Sequence, residues 1–367
     1  MPSAAPVTLD HLVNHSRALI TSLQTAEGAY PASPEFSAYR GYCWFRDGSF
    51  IADAMSSWND VASAEQFFDW CAAAIITVED DVNRVVAAQA AGRPVPDEEM
   101  LPTRFTFDHQ RGSHDWWDFQ LDGYGTWLWA LGAHVARHGS AVAPYSQAIK
   151  LTVAYLVSSW HRPCYDWWEE HVEQRHVSTL GCVAAGLSAA IRLNVLDDEL
   201  ASQAEATASE ITHLIRTQGV HDGHLVKWIG STDVDASLAS LIEPLQVIDA
   251  NDPIAIATIV AIEEMLVHDG GTHRYLGDTF YGGGLWPLLS CFLGLAHHAQ
   301  GNEHAAHYYE RWAASTVTAQ LDMPEQVGTH LLDPSHLREW TDRWGTVATP
   351  LLWSHAMHLR LAKELSC

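Results

Sequence analysis

The connections between the helical segments of this chain alternate between short turns and long loops, and this alternation constrains the fold most strongly. Helical periodicity dominates, and one segment shows it as a single apolar stripe at i, i+4, i+7 and i+11: Ile149, Val153, Leu156 and Trp160. Links after even-numbered helices are turn-like, as at Trp58-Asn59-Asp60, whereas links before them are long and rich in Trp, Asp, Arg, Glu and Gly. Six helix hairpins with all their elaborate loops at one end predict an all-α fold, an (α/α)6 barrel with alternating outer and inner helices.

A single domain is expected to span residues 1–367, because no linker rich in proline, glycine or serine divides the chain. Its 367 residues, 47% of them hydrophobic, are enough for one large core. The expected helices run near 8–26, 48–58, 60–92, 123–138, 143–162, 175–193, 196–217, 233–241, 251–268, 284–299, 302–322 and 350–365. The loops that enter the inner ring then converge on one site, where we expect the function.

Charge and aromatic content narrow the class of ligand. The formal net charge is −25, from 45 acidic and 20 basic residues, so the chain repels phosphate backbones and anionic lipid. Nucleic acid and membrane are therefore not expected as partners. Sixteen tryptophans crowd into the loops and indicate a neutral, partly apolar small molecule such as a carbohydrate.

The cysteines and the first residues bear on location. Six cysteines are scattered without C-x-x-C or zinc spacing, which favours free thiols over disulfides: Cys43, Cys71, Cys164, Cys182, Cys291 and Cys367. Residues 1–6 lack the basic and apolar regions of a signal peptide, and no apolar run approaches the ~18 residues that span a bilayer. A cytoplasmic protein is expected; the oligomeric state is left open.

The segment Tyr165-Asp166-Trp167-Trp168-Glu169-Glu170 places two adjacent carboxylates among aromatic rings. Burial against indole favours the neutral acid, which suits proton donation to a sugar, and the ring faces suit the C–H faces of a pyranose. A capped helix start with two buried tryptophans would explain the same residues.

Two loops nearer the start carry further polar and aromatic residues. Arg46-Asp47 follows Trp44 and offers a donor and an acceptor for neighbouring sugar hydroxyls, although Asp47 alone would suit a helix N-cap. The stretch 115–123 contains Trp116 and ends in Asp122-Gly123, with Asp122 as a cap in the simpler interpretation.

Three later loops complete the set of six. The loop from Lys227 to Asp233 is interpreted as structural, with Thr232 or Asp233 as the cap of the eighth helix. The loop 274–286 begins with Arg274 and contains three consecutive glycines, which indicate a strained turn or a close backbone approach. In the sixth loop Glu325 follows a proline, and taken alone it would be an ordinary exposed carboxylate.

Metal and nucleotide chemistry lack sequence support. The 22 histidines form no H-E-x-x-H and no complete ligand set, so we expect no metal and no cofactor. G-x-G-x-x-G, P-loop and G-x-S-x-G motifs are absent as well.

Taken together, the loops resemble glycoside hydrolase family fifteen, the glucoamylase and glucodextranase family. Pieces of six family motifs occur in order across nearly the whole chain: Trp44-x-Arg46-Asp47, Trp116 with Gln120-x-Asp122-Gly123, Asp166-x-Trp168-Glu169-Glu170, Arg274-Tyr275-x-x-Asp278-Thr279-x-Tyr281, Glu325-Gln326 and Trp353-Ser354. Each is weak alone, but their common order before inner helices makes the resemblance specific.

The resemblance implies exo-acting hydrolysis of an α-glucosidic bond with inversion, which releases β-glucose. Glu169 would be the general acid and Glu325 the general base, with their carboxyls about 6.5–9.5 Å apart to admit a water. The same resemblance implies that the remaining matched residues bind or surround the terminal glucose: Trp44, Arg46, Asp47, Trp116, Asp122, Trp168, Glu170, Arg274 and Trp353. Glu170 is expected to hold Glu169 by a hydrogen bond.

The substrate is the least constrained inference. The chain is too short to include the N-terminal β-sandwich that bacterial members commonly carry, and it shows no starch-binding module, which favours a small α-1,6-linked glucoside such as isomaltose. Trehalase or maltose-type activity in the same family is an alternative. A sugar 2-epimerase on the same barrel, which would use histidines, and a non-catalytic sugar-binding protein are the remaining alternatives; neither explains why both glutamates are present.

Overall fold

The protein is built mainly from α-helices, which lie between long loops. The computed structural model describes residues 8–112, 116 and 118–366. Its helices are α1 (Leu9–Leu23), α2 (Phe45–Ser57), α3 (Val61–Thr77), α4 (Glu79–Ala90), α5 (Asp122–His138), α6 (Ser146–Ser159), α7 (Val177–Arg192), α8 (Asp198–Gln218), α9 (Pro253–Leu266), α10 (Pro287–Ala299), α11 (Glu303–Ser315), α12 (Leu337–Trp344) and α13 (Leu352–Leu365).

Five of these helices and one 3₁₀ segment form a closed inner ring. Helices α2, α5 and α7, the 3₁₀ segment Ala236–Leu241, α10 and α13 each contact the next, and α13 returns to contact α2. Most of their residues are buried, and in α2 all of them are, as expected for elements that other helices surround. Helices α1, α3, α6, α8, α9 and α11 pack outside this ring. The expected (α/α)6 barrel is therefore confirmed.

Small residues allow two inner helices to approach unusually closely. A Cβ atom on Gly186 of α7 would overlap the carbonyl oxygen of Gly125 on α5, and one on Gly125 would overlap that of Cys182. Glycine is thus required at both positions for steric reasons, because any side chain would push the two backbones apart.

The structure differs from the expected helices in three places. The expected helix 60–92 is two helices, α3 and α4, bent by 60° at Val78. The expected eighth helix, 233–241, is a 3₁₀ segment that begins only at Ala236, and its cap is Asp235, not Thr232 or Asp233, because Asp235 accepts from the Ser237 N–H at 2.9 Å. Helix α12 lies inside the last long loop, where no helix is expected.

The strands are short and lie in the connections between the helices. Each pair is antiparallel: β1 (Tyr42–Trp44) with β2 (Arg104–Thr106), β3 (Val220–His221) with β4 (His224–Leu225), and β5 (Val267–His268) with β6 (Gly271–Thr272). The pair β1–β2 positions Trp44 directly before α2. A further bridge between Leu285 and Val327 joins the fifth and sixth long loops.

Two expectations about cysteines and membrane spans concern the whole chain. The five described cysteines are buried and unpaired, as expected, and Cys367 lies outside the described residues. In the part of the chain that the structure describes, no single helix is long and apolar enough to cross a membrane, although the bent pair α3–α4 would meet the criteria of length and composition.

Candidate active site

The long loops enclose one deep cavity at the end of the barrel where the inner helices begin. Together with the open solvent at its mouth, it takes up about 820 Å³. Acidic, basic and aromatic side chains line it: Tyr39, Trp44, Arg46, Asp47, Trp116, Trp167, Trp168, Glu169, Glu170, Arg274, Phe280, Trp286, Glu325, Trp340, Trp344 and Trp353. All but one of the expected site residues are therefore in its wall; the exception is Asp122.

A tight turn presents Glu169 to the cavity. Asp166 organises it: its Oδ1 accepts from the backbone N–H groups of Trp168 and Glu170, both at 2.9 Å, and its carbonyl accepts from Glu169 N–H at 3.0 Å. Glu169 itself has φ of 64°, in the left-handed region that few non-glycine residues adopt. Such a backbone conformation persists only where surrounding bonds impose it, and residues in strained conformations of this kind often mark functional sites.

The Glu169 carboxyl group sits among hydrogen-bond donors at the edge of the cavity. Trp44 Nε1 donates to its Oε1 at 2.8 Å, and Gln120 Nε2 donates to the same oxygen at 3.2 Å. Burial nevertheless raises the pKa of Glu169, against the lowering effects of Arg46 and of hydrogen bonds from Trp116, Trp44 and Gln120. A carboxyl group with a raised pKa can hold the proton that a general acid must deliver.

Glu325 reaches the cavity from the last long loop and is 2% exposed. Its backbone N–H bonds the Ala348 carbonyl at 2.9 Å, and Ser354 Oγ donates to the carbonyl of Pro324 at 2.8 Å. Tyr39 O–H donates to its Oε1 at 2.8 Å, whereas Oε2 is buried without a hydrogen-bond partner among the described residues. Burial raises the pKa of Glu325 to about 8, and the bond from Tyr39 offsets only part of this.

Gln326, the residue after Glu325, explains why one of the three consecutive glycines is needed. Gln326 Oε1 accepts from Gly284 N–H at 2.7 Å, and a Cβ on Gly284 would overlap this amide oxygen and lie 2.7 Å from the Val327 carbonyl oxygen. Gly282 and Gly283 have φ of 81° and 69°. The expectation of a strained turn with close backbone approach is confirmed.

Arg46 and Asp47 lie in the first turn of α2, so Asp47 is not the N-cap of that helix. Arg46 Nη1 donates to Gln120 Oε1 at 2.8 Å and to Asp122 Oδ2 at 2.9 Å. Its Nε lies 3.4 Å from Asp47 Oδ2, and among the described residues neither atom has a hydrogen-bond partner. Both residues line the cavity, which thus has a donor and an acceptor side by side, as a sugar diol requires.

Asp122 stands behind this pair and not in the cavity wall. It is fully buried, and its Oδ1 accepts from Gly123 N–H at 2.7 Å while Oδ2 holds Arg46. The structure thus places Asp122 as a support for Arg46, at a position from which it does not reach a ligand directly.

Arg274 also lies in the cavity wall, within an aromatic cage. It pairs with Asp278 through two hydrogen bonds, one of them from Nε to Oδ2 at 2.8 Å. The centre of its guanidinium group is 5.1 Å from the Trp168 ring centroid and 5.2 Å from that of Trp286. Glu170 lies next to it, with 3.7 Å between Arg274 Nη2 and Glu170 Oε1.

The hydrogen bond expected from Glu170 to Glu169 is replaced by another. Glu170 Oε2 accepts from the Tyr275 hydroxyl, and the pKa of Glu170 is raised by burial, against the effect of Arg274. Glu170 therefore faces the Arg274 side of the cavity, because the turn at Glu169 directs the two neighbouring side chains differently.

Aromatic residues from distant loops narrow the mouth. Trp116 stacks on Trp344 with 6.2 Å between ring centroids and 28° between planes, and the Arg104 guanidinium group lies 4.0 Å from the Trp116 ring. Trp340 donates from Nε1 to the Thr279 carbonyl at 2.9 Å, which ties α12 to the fifth loop. Trp353 forms the floor, stacked on Phe50. The neighbours Asp115 and Trp117, grouped with Trp116 in the sequence, lie outside the described residues.

Several cavity residues are not identifiable from sequence patterns alone. Tyr39 precedes the first motif by five positions, and only its proximity to an Arg-Asp pair could have suggested it. Trp286, Trp340 and Trp344 lie in loops that the sequence marks as aromatic without indicating which rings point inward. None of the described residues that line the cavity is a histidine, and among the described residues no His, Cys, Asp or Glu group suits a metal ion.

Comparison with known proteins places this geometry in a family context. The sequence profile described as Glycosyl hydrolases family 15 matches residues 6–363. An isomaltose glucohydrolase of Kribbella flavida is 50% identical over 97% of this chain and 93% of its own length. A glycosidase variant solved in complex with glucose superposes with a TM-score of 0.95 at 49% identity, over 98% of this chain and 97% of its own. A bacterial glucoamylase complexed with acarbose shares the fold, with a TM-score of 0.77 at 19% identity, over 97% and 55% of the respective chains.

Proposed function

The chain belongs to glycosyl hydrolase family 15, and we propose that it cleaves small α-glucosides from the non-reducing end with inversion, isomaltose being the favoured substrate. The observation that carries this proposal is the pair of carboxyl groups, Glu169 and Glu325, which two separate loops bring to one aromatic cavity. The 50% identity to an isomaltose glucohydrolase supports the choice of linkage.

In the proposed reaction Glu169 donates its proton to the oxygen of the leaving sugar as the C1–O bond breaks. Glu325 takes a proton from a water that attacks C1 from the opposite face, which inverts the anomeric centre. The arrangement around Glu325 suits this role, because Tyr39 occupies Oε1 and leaves Oε2 for the water. The base must be ionised to act. Because the pKa of Glu325 is about 8, the ionised fraction of this group grows as the pH rises toward that value.

The remaining cavity residues have binding roles in this proposal. Arg46, Asp47 and Arg274 hold the hydroxyl groups of the terminal glucose, and Trp168 and Trp353 pack against its ring. Glu170 contributes to glucose binding on the side of the cavity where Arg274 lies. Trp44 both lines the pocket and donates to the general acid, and Trp116 borders the site of the leaving sugar. Catalysis of this kind requires no cofactor.

The size of the substrate, the domain organisation and the cellular location are part of the same proposal. The mouth narrowed by Trp116, Trp340 and Trp344 suits one further sugar unit better than a polymer. We expect the whole chain to act as one catalytic domain. A cytoplasmic location stays a prediction, supported by the unpaired state of the five described thiols.

The stereochemistry is tested by proton NMR of the products at early times, before mutarotation. With isomaltose as substrate, we expect the anomeric signal of β-glucose from the non-reducing unit to appear first. Initial formation of α-glucose from that unit would mean retention and would exclude the water mechanism above.

The linkage is tested by measuring glucose release from isomaltose, maltose, kojibiose, nigerose, trehalose, dextran and starch. We expect the highest kcat/KM with isomaltose, because a site built around one linkage leaves polar groups unpaired for the others. Trehalose or maltose as the best substrate would overturn the α-1,6 assignment, and soluble starch would overturn the small-substrate assignment.

A further inference from the structure

A buried lysine lies behind the turn that carries Glu169, in the loop interpreted from sequence as merely structural. Lys227 is 2% exposed, and its Nζ lies 2.9 Å from Asp166 Oδ2 and 2.6 Å from Asp235 Oδ2. Its backbone is fixed as well, since its N–H bonds the Asp233 carbonyl at 2.7 Å and its carbonyl accepts from Val177 N–H at 3.1 Å. The ammonium group thus occupies a fixed position at the start of α7.

The first aspartate connects Lys227 to the backbone of the catalytic turn. Asp166 uses Oδ2 for the lysine and Oδ1 for the N–H groups of Trp168 and Glu170. Those two N–H groups flank Glu169, whose φ of 64° is sterically unfavourable by itself. The orientation of the Asp166 carboxylate, and with it the turn, therefore depends on the position of the ammonium group.

The second aspartate connects Lys227 to the cavity wall. Asp235 Oδ2 accepts from Trp168 Nε1 at 2.9 Å as well as from Lys227. The Lys227 ammonium also lies 3.8 Å from the centroid of the Tyr275 ring, whose hydroxyl donates to Glu170. Residues on both sides of Glu169 are thus held through one cation.

The charges of this cluster are mutually dependent. Burial by itself would lower the pKa of Lys227, but Asp166 and Asp235 outweigh it and raise that pKa. Burial would likewise raise the pKa of Asp166, yet Lys227 and then His176 lower it to about 2. The lysine is charged and both carboxylates are its partners, and removal of the cation would leave two buried anions facing each other.

We propose that Lys227 is a positioning residue for the general acid, which holds the turn Asp166–Glu170 so that Glu169 points into the cavity. This inference rests on the proposed function. Lys227 does not line the cavity, so it acts on the reaction only through Asp166, Asp235 and Tyr275. The expected defect in its absence is chiefly poor delivery of the proton to the leaving oxygen.

The test compares two substrates that differ in their need for a proton. In isomaltose the C1–O bond breaks toward a sugar alkoxide, which requires the proton of Glu169, whereas in α-D-glucosyl fluoride the C1–F bond breaks to release fluoride, which requires much less help. For Lys227→Met we expect kcat on isomaltose to fall about tenfold or more, and kcat on the fluoride to stay within about threefold. Glu169→Gln should show the same selective pattern, with a larger loss on isomaltose.

Two further variants keep the result interpretable. Lys227→Arg retains the charge and is expected to give an intermediate ratio of the two activities, which remains measurable if the methionine variant does not fold. Arg360→Met is the matched control: Arg360 is also a largely buried cation, whose Nε lies 3.1 Å from Asp53, but it is two turns along α13 from Trp353 and does not line the cavity. Any loss in that variant should be equal for both substrates.

The outcomes separate the two proposals. Wild-type protein that hydrolyses neither substrate contradicts the proposed function itself. Wild-type protein that hydrolyses both, combined with an equal loss on both in the folded Lys227 variants, or with no loss in either, overturns the positioning role.

Discussion

Glu325 combines two properties that rarely occur together: it is buried, and one of its carboxylate oxygens has no hydrogen-bond partner among the described residues. Transfer of an ionised carboxylate out of water is unfavourable unless hydrogen bonds replace the lost hydration, and within the described part of the chain the one side chain that donates to this carboxylate is Tyr39. The folded state consequently prefers the protonated form, which is why the pKa is raised to about 8. At this position the proposed role of Glu325 as an ionised base opposes the stability of the fold.

The first prediction follows from this opposition. Because the folded-state pKa of Glu325 is above its ordinary value of 4.5, this group lowers the stability of the fold progressively between pH 4.5 and about 8, where the unfolded chain loses the proton that the fold retains. Glu325→Gln removes that charge, so we expect its Tm to exceed that of the wild type at pH 8 and to match it at pH 4.5. The gain at pH 8 should be on the order of a few kcal/mol in the free energy of unfolding.

The measurement is thermal unfolding of both proteins at the two pH values, and Glu98→Gln serves as the control because Glu98 is exposed. The control should leave Tm unchanged at both. A Tm of Glu325→Gln that is equal to or below the wild-type value at pH 8 would contradict the account of the buried charge.

The principal site residues were recognisable from sequence, but the interactions that hold them were not. Glu169 and Arg274 belong to motifs, whereas Tyr39 and Glu325 are 286 positions apart and meet only in the folded chain. Lys227 belongs to no motif, and a lone lysine in a loop is normally expected to be exposed to solvent. Only the burial of its two aspartate partners reveals its role.

At the scale of the elements, α12 is the most unusual helix. It has only eight residues, none of them buried, so it contributes little to the core. Its two tryptophans nevertheless line the cavity, and Trp344 stacks on Trp116 from across the mouth. The helix therefore forms part of the cavity wall.

The corresponding prediction concerns Trp344→Ala. Loss of the indole removes stacking surface for the leaving sugar, so we expect KM for isomaltose to rise about tenfold, the effect of ~1–1.5 kcal/mol of aromatic contact. KM for α-D-glucosyl fluoride, which has no leaving sugar, should change little. Steady-state kinetics with both substrates give the comparison.

Leu337→Ala is the control on the same helix, because Leu337 is 40% exposed and does not line the cavity. It should leave both KM values unchanged. An equal rise in KM for the two substrates in Trp344→Ala would place the tryptophan against the terminal glucose instead.

The order of inner and outer helices was predictable from loop lengths, but the exceptions had local causes that periodicity does not record. The apolar pattern of 60–92 continues through Val78, where the structure bends, because a bend within one turn leaves the spacing of apolar residues intact. The segment Ala236–Leu241 is too short for helical periodicity to distinguish 3₁₀ from α. Helix α12 has no buried residue and hence no core-facing stripe to detect.

For the whole molecule, the spacing of the inner ring decides where the loops stand relative to one another. The α5–α7 contact sets part of that spacing, because Gly125 and Gly186 bring the two backbones together. For Gly186→Ala we expect a loss of about 1–2 kcal/mol in the free energy of unfolding, since overlap with a backbone carbonyl costs up to about 3 kcal/mol and outweighs the ~1 kcal/mol that alanine gains in helix propensity.

Urea unfolding measures this loss, and Ser188→Ala is the control two positions further along α7, where the side chain is half-buried. The control should be neutral or slightly stabilising. A Gly186→Ala variant as stable as the wild type would mean that α5 and α7 can separate without cost.

The closure of the ring also affects the order in which parts of the site form during synthesis. Helix α13 contacts both α2 and α1, and Leu352 N–H bonds the Ala32 carbonyl at 3.0 Å, so the ring is completed by segments more than 300 positions apart. During synthesis the turn that carries Glu169 emerges about 150 residues before Glu325 and its supports on α13. A nascent chain therefore carries one of the two proposed catalytic carboxyl groups long before the other exists, and we expect hydrolysis to begin only when the last helix has docked.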